Sequence, residues 1–361
     1  MSRKLNFSAG PCAIPVEVLE EMKENMLDYR GNGISLAEVS HRHKLYDDVH
    51  NEAISLMKEL LQVPDNYSIL FLGGGGTLAF TMIPMNFLSQ GKTADYVNSG
   101  AWAKKALEDA QKVGKVNVVF DGKDSGYSTL PPASSMRASD DSAYFHFTSN
   151  ETIGGIQWKE WPELGDTPLI CDMSSDIMSR ELSVDKFAMI YGGVQKNLGP
   201  AGAAFMIIRN DLLERSPDKL TAYLNYKTHA EKNAMYNTPP VFTIWGVKLF
   251  LEWVKRNGGV PGMEKIADRK SKLIYNILDS GDNFYRSPVD ANFRSTMNVV
   301  FRLPSEDLEA KFVKEAEAEG MMFLKGHRSV GGCRASIYNG VPEADVEALT
   351  AFMKEFSRKN G

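Results

Sequence analysis

The sequence predicts an α/β fold: a large domain on a mostly parallel central sheet, followed by a smaller α+β C-terminal domain. Three observations carry this. Short apolar runs alternate with longer amphipathic segments from about residue 67 to 208, the pattern of strands joined by helices or loops. Several runs end in glycines or polar residues, as strands do where they leave a sheet. After Pro240 the pattern changes to longer helical segments with few strands.

Taken in order, 67–72 (YSILFL) reads as a buried strand ending in glycines, and 78–88 as the helix after it. Residues 94–97 form a strand and 101–112 a helix. Further strands are expected at 116–120, 143–148, 168–171, 188–191 and 203–208, short and apolar enough for a sheet buried on both faces. An amphipathic helix is expected from His41 to about Leu61, with Ser40 as its N-cap. Thr238 and Pro239 read as the cap and first turn of a helix over 241–256. Then follow a helix at 263–278, a strand at 297–301, a helix at 308–318, a strand at 333–338 and a helix at 342–358. NGGVP at 257–261 is a natural break, dividing a large domain, 16–258, from a small one, 259–361 with 1–15.

Composition narrows the function classes. Hydrophobic residues make up 43% and charged residues 24%, ordinary for a globular protein. A net charge of −5 gives no general attraction to nucleic acid or anionic membrane. The three cysteines, Cys12, Cys171 and Cys333, are too scattered for a disulfide framework or a zinc site, so no metal is expected. No apolar stretch is long enough to span a bilayer, and MSRKLNFSAGPCAIP lacks the apolar core of a signal peptide; a cytoplasmic location is expected.

The chemistry begins at YGGVQKNLGPAG, where Lys196 follows an apolar strand among glycines. A surface turn also looks like this, but loops at carboxyl ends of α/β strands hold ligands. Asp172 ends the apolar run PLIC, which puts a carboxylate at another strand terminus. A local loop cap is the plain alternative. Lysine and acid together suit pyridoxal phosphate, which needs an amine for a Schiff base and a carboxylate at its pyridinium nitrogen. GGGGT at 73–77 lies between strand and helix, where backbone N–H groups can cradle phosphate; it also fits a simple tight turn. Trp102 could stack on a ring or fill a core. Two basic clusters, His41-Arg42-His43 and Lys325, His327, Arg328 and Arg334, favour a substrate with two anionic groups.

Together these residues resemble a known family. NFSAGPCAIP, EVSHRHK, GGGGT, ADYVNSGAWA, NETIGGI, YGGVQKNLGPAG, YNTPP, KGHRSVGG and RASIYNG run essentially end to end. The chain is similar in all of them to phosphoserine aminotransferases, in the class V branch of fold-type I pyridoxal-phosphate enzymes. The resemblance implies Lys196 as the Schiff-base lysine and Asp172 at the pyridine nitrogen. It implies Trp102 on the ring, Thr152 at the ring oxygen, and Gly76, Thr77 and Gln195 at the cofactor phosphate. Asn237 and Thr238 would reach the cofactor of a neighbouring subunit, making a homodimer with shared sites. Arg334 would hold the substrate α-carboxylate, and His41, Arg42, His327 and Arg328 its distal anion. The implied partners are L-glutamate, 3-phosphohydroxypyruvate and O-phosphoserine, in serine biosynthesis; 4-phosphohydroxy-L-threonine in pyridoxine biosynthesis is also admitted. Two positions depart from the pattern: Thr77, where some members carry a cation, and Ala9, where some carry a serine. A cysteine desulfurase would need a mobile cysteine, which the apolar contexts of all three disfavour. A non-enzymatic phosphate-binding protein would be colourless.

Overall fold

The computed structural model describes residues 3–281 and 283–361. Its strands are β1 (Leu5–Asn6), β2 (Tyr67–Gly73), β3 (Thr93–Asn98), β4 (Lys115–Asp121), β5 (Ser142–Thr148), β6 (Asn150–Glu151), β7 (Ile156–Gln157), β8 (Leu169–Asp172), β9 (Met189–Gly193), β10 (Ala203–Arg209), β11 (Asn298–Phe301), β12 (Met321–Met322) and β13 (Cys333–Ser336). Its helices are α1 (Val16–Glu24), α2 (Lys44–Leu60), α3 (Gly75–Phe87), α4 (Ala101–Val113), α5 (Asn210–Leu213), α6 (Tyr226–Glu231), α7 (Val241–Arg256), α8 (Gly259–Leu278), α9 (Glu306–Ala318) and α10 (Glu343–Asn360).

The central sheet has seven strands in the order β2-β10-β9-β8-β5-β3-β4. β9, β8, β5, β3 and β4 pair in parallel. β10 is antiparallel to both β9 and β2, so β2 runs in the common direction. An antiparallel return needs no long crossover, which is why the nine residues between β9 and β10 can form a compact loop around Lys196. Successive residues of the central strands enter different cores, because a strand alternates its side chains. Phe71, Phe147, Ile190 and Phe205 pack with residues of α1, α2 and α7. Leu72, Ile170, Tyr191 and Met206 pack with α3, α4 and α6. With both faces covered, these strands read as apolar runs.

A further core joins α8, α9, α10, β11 and β13, including Ile274, Phe312, Ala335, Leu349 and Phe356. The spacing Val346, Leu349, Met353, Phe356 is the inward stripe of α10. The N-terminal segment belongs to this core: Phe7 is fully buried in it, and β1 pairs with β12, Leu5 opposite Met321. No helix among the described residues is long and apolar enough to cross a membrane.

Helix starts differ from expectation at α2, α3 and α8, the last beginning at Gly259 rather than 263, while α7 starts at 241 as expected but without the expected cap. α2 begins at Lys44, capped by His43, whose Nδ1 accepts from Leu45 N at 3.2 Å. Ser40 serves only a local turn, accepting from Arg42 N at 3.3 Å, so His41 and Arg42 precede the helix. α7 begins at Val241 after Pro240, with Thr238 exposed in the preceding loop. Pro240 disfavours helical geometry at Pro239, which moves the start past both prolines. α3 begins at Gly75 rather than at 78, because Gly74 adopts φ 97° and turns the chain into the helix at once.

Candidate active site

Five parallel strand ends converge on one region. β2 ends at the first glycine of GGGGT, β3 before Trp102, β5 before Thr152, β8 at Asp172 and β9 before Lys196. The carboxyl edge of such a sheet is where α/β proteins place ligands.

Lys196 is 7% exposed, and its Nζ donates to Thr152 Oγ1 at 2.5 Å. The same Nζ lies 5.3 Å from the centroid of the Trp102 ring. Burial pushes the amine down to about 8, against the attraction of Asp172 and Glu151. Such a lysine can be neutral, and hence nucleophilic, near neutral pH. The backbone around it is pinned. Cys12 Sγ donates to Lys196 O at 2.5 Å, Asn197 Nδ2 donates to Ser175 O at 3.1 Å, and Asn339 N donates to Asn197 Oδ1 at 3.0 Å.

Asp172 is 4% exposed. Its Oδ1 accepts from Ser174 N at 2.8 Å and Ser174 Oγ at 2.6 Å. Burial raises its carboxyl, while Lys196 and the Ser174 bonds pull it back. Ser174 Oγ also accepts from Gly193 N at 3.0 Å, tying the end of β8 to the strand that leads to Lys196. A Cβ on Gly76 would lie 3.4 Å from Ser174 Oγ and 3.6 Å from Gly193 N, so the first turn of α3 abuts the same place. The leading N–H groups of a helix have no intrahelical acceptor and suit an anion.

Arg334 projects from β13, and its Nη1 donates to Thr152 O at 3.1 Å. It borders a cavity of about 500 Å³ shared with Ser329 and Val330, on the loop that carries His327 and Arg328. Burial, then the positive charges of Arg334, Arg328 and Lys105, lower His327 below the usual histidine range.

The chain thus brings together Lys196, Asp172, Thr152, Trp102, Gly76 and Arg334. Gln195 adjoins the lysine, and Thr77 is exposed on the first turn of α3. Four other expected residues do not join them within one chain. His41 and Arg42 border a separate hollow with Lys44, Asp47 and Met235. Asn237 and Thr238 are exposed in the loop before α7. Sequence reasoning missed Ser174 and Glu151. The fully buried Glu151 carboxylate accepts from Trp102 N at 3.1 Å and Ala103 N at 2.8 Å. Its signal was its place beside Thr152; that of Ser174 was the serine pair after Asp172.

Comparison with known proteins gives the family of the chain. The model of the aminotransferase class-V family matches residues 4–349. Phosphoserine aminotransferase of Geobacillus kaustophilus is 50% identical over 361 residues, covering 99% of each chain. The structure of phosphoserine aminotransferase from Bacillus circulans subsp. alkalophilus superposes with a TM-score of 0.98 at 48% identity, covering 99% of each chain. That of PLP-bound phosphoserine aminotransferase from Trichomonas vaginalis gives 0.89 at 38%, covering 98% of this chain and 100% of the other. With full-length matches at this identity, the chain belongs to the class V aminotransferases and, within them, to the phosphoserine aminotransferase family.

Proposed function

We propose that this pyridoxal-phosphate enzyme exchanges an amino group between L-glutamate and 3-phosphohydroxypyruvate, giving O-phospho-L-serine and 2-oxoglutarate in alternating half-reactions. The observation that carries the reading is the meeting of buried Lys196, buried Asp172 and the start of α3 at the same end of the sheet, β8 and β9 being adjacent and β2 separated from β9 by β10. The residues fit the cofactor. Trp102 Nε1, Thr148 Oγ1 and Arg334 Nε are buried polar atoms without a hydrogen-bond partner among the described residues, a state that favours a polar ligand.

Bound there, pyridoxal phosphate supplies an electron sink for the pair left on the substrate Cα. Lys196 would hold the cofactor through its amine and, as a neutral base, would take and return the proton at the substrate Cα. Asp172 keeps the pyridine nitrogen protonated. Trp102 and Thr152 orient the ring, while Gly76, Thr77 and Gln195 hold the phosphate. Arg334 grips the α-carboxylate bidentately. His327 and Arg328 hold the phosphate or γ-carboxylate at the far end. Residues 16–258 carry the cofactor contacts with His41 and Arg42 in this reading, and 259–361 with 1–15 carry His327, Arg328 and Arg334.

The reading pairs two copies. Asn237 and Thr238 of one reach the cofactor phosphate of the other, and exposed Tyr236 and Phe242 flank them, as on a surface that a partner covers. His41 and Arg42 share their hollow with Met235, two residues before Asn237, and belong to the same contribution. A desulfurase is disfavoured, because burial holds Cys12 and Cys333 up at about 12 and Cys171 also well above its ordinary range.

The test is Lys196→Ala. The purified protein should lose both the visible absorbance of the Schiff base and transamination. A variant that keeps that absorbance would sink the assignment.

A further inference from the structure

The loop that carries His327 and Arg328 is anchored by a charged pair with no role assigned above. Arg302 follows β11, and Glu309 lies in the first turn of α9. Arg302 Nε donates to Glu309 Oε1 at 2.6 Å, and the Glu309 side chain is only 9% exposed. Each partner also grips the loop. Arg302 Nη1 donates to Val330 O at 2.9 Å, and Gly332 N donates to Glu309 Oε2 at 3.1 Å. The loop closes where Gly326 N donates to Gly332 O at 2.8 Å. Gly332 has φ 71°, and a Cβ there would lie 2.7 Å from Arg302 Cδ, so the loop rests directly on the arginine.

Inside the loop, His327 Nδ1 accepts from Ser329 N at 3.3 Å. An accepting Nδ1 places the proton of the neutral ring on Nε2, which then serves as a donor.

We propose that Arg302 and Glu309 are specificity-setting positioning residues, whose ion pair fixes the 326–332 loop so that His327 and Arg328 can hold the distal anion of the substrate. This rests on the reading of His327 and Arg328 given above. An enclosed ion pair contributes little net stability, because desolvation offsets its attraction. What it supplies here is geometry: two backbone anchors at one end of an eight-residue stretch, Lys325 to Gly332, that bears three cationic or titratable side chains.

The test compares Glu309→Gln, Arg302→Lys and Arg328→Met in the cofactor-loaded enzyme. Turnover is measured with O-phospho-L-serine and with L-serine, which lacks the phosphate, and calorimetry measures binding of inorganic phosphate. Glu309→Gln and Arg302→Lys should raise KM for O-phosphoserine and weaken phosphate binding about tenfold each, the loss of one charge-assisted contact. Their kcat and their turnover of L-serine should stay at the wild-type level. If only Arg328→Met loses phosphate affinity, the clamp is overturned and the anion site stands. If Arg328→Met also keeps it, the anion site falls and the clamp with it. Equal losses with both amino acids assign the pair to general stability and overturn the proposal. Should Glu309→Gln not fold, Arg302→Lys decides, since it keeps the cation and lacks the bond to Val330.

Discussion

At the scale of residues, a basic amine and an acid share one dry site, and each moves the other. Burial lowers Lys196 and raises Asp172, while their mutual attraction opposes both shifts. The two bonds that Ser174 gives to Asp172 Oδ1 favour the ionised carboxylate, the form that keeps a pyridine nitrogen protonated. Removing the hydroxyl with Ser174→Ala should lower kcat about tenfold with little change in KM, because a hydrogen bond to a charged group is worth roughly 1.5–3 kcal/mol. Steady-state kinetics checks this; a rise in KM at constant kcat would place Ser174 in substrate binding instead. Lys196 and Asp172 stood out in the sequence because Asp172 ends an apolar run and Lys196 follows another among glycines. Ser174 was not, because a serine after a strand is common and only folding shows that its hydroxyl spans from Asp172 to Gly193.

At the scale of elements, α4 shows how the backbone that carries Trp102 is fixed. Glu151, from β6, caps the first turn of α4 through Trp102 N and Ala103 N, a carboxylate at the positive end of a helix. Gly100 lets the two approach, since a Cβ there would lie 2.7 Å from the Glu151 carboxyl carbon. Glu151→Ala should cost about 1–2 kcal/mol of local stability, the usual worth of a cap. Hydrogen exchange at the Trp102 and Ala103 amides should speed up together, and unchanged exchange would refute the cap. The helices themselves were largely legible: buried Ala103, Ala106, Leu107 and Ala110 give α4 its 3.6-residue period. The start of α2 and the cap of α7 were less so, although the span of α7 was foreseen. Cap-forming side chains at Ser40 and Thr238 suggested starts that His43 and the Pro239-Pro240 pair override. Short α1 and α6 were missed, because nine and six residues carry little periodic signal.

At the scale of the whole molecule, two buried bases tie stability to pH. His146, 1% exposed inside the central sheet, is driven down to about 3 by burial. Lys270 is fully buried, with its Nζ donating to Tyr338 O at 2.7 Å and Val341 O at 2.9 Å, and burial lowers it to about 7. Between its folded and ordinary values, each group binds more protons when unfolded, so stability rises with pH in that window. For His146 the window runs from about 3 to 6.5. For Lys270 it runs from about 7 to 10.5. Thermal melts should therefore show stability lost to acid below about pH 6.5, and from about pH 7 to 9 a gain that Lys196 shares and that Lys270→Met flattens in part, before the raised cysteines oppose it. An unflattened slope in that variant would assign the effect to other groups. The parallel sheet was foreseeable from the apolar runs, but the antiparallel course of β10 was not, because a run buried on both faces does not record its direction.

The pairing of β1 with β12 has a consequence for how the chain is made. Residues 5–6 leave the ribosome well before their strand partner, residues 321–322. At about 5–20 residues per second, Phe7 goes on the order of tens of seconds without the pocket that finally encloses it. Residues 5–7 are thus among the last of this fold to settle, and a chain cut before Met321 leaves β1 with nothing to join.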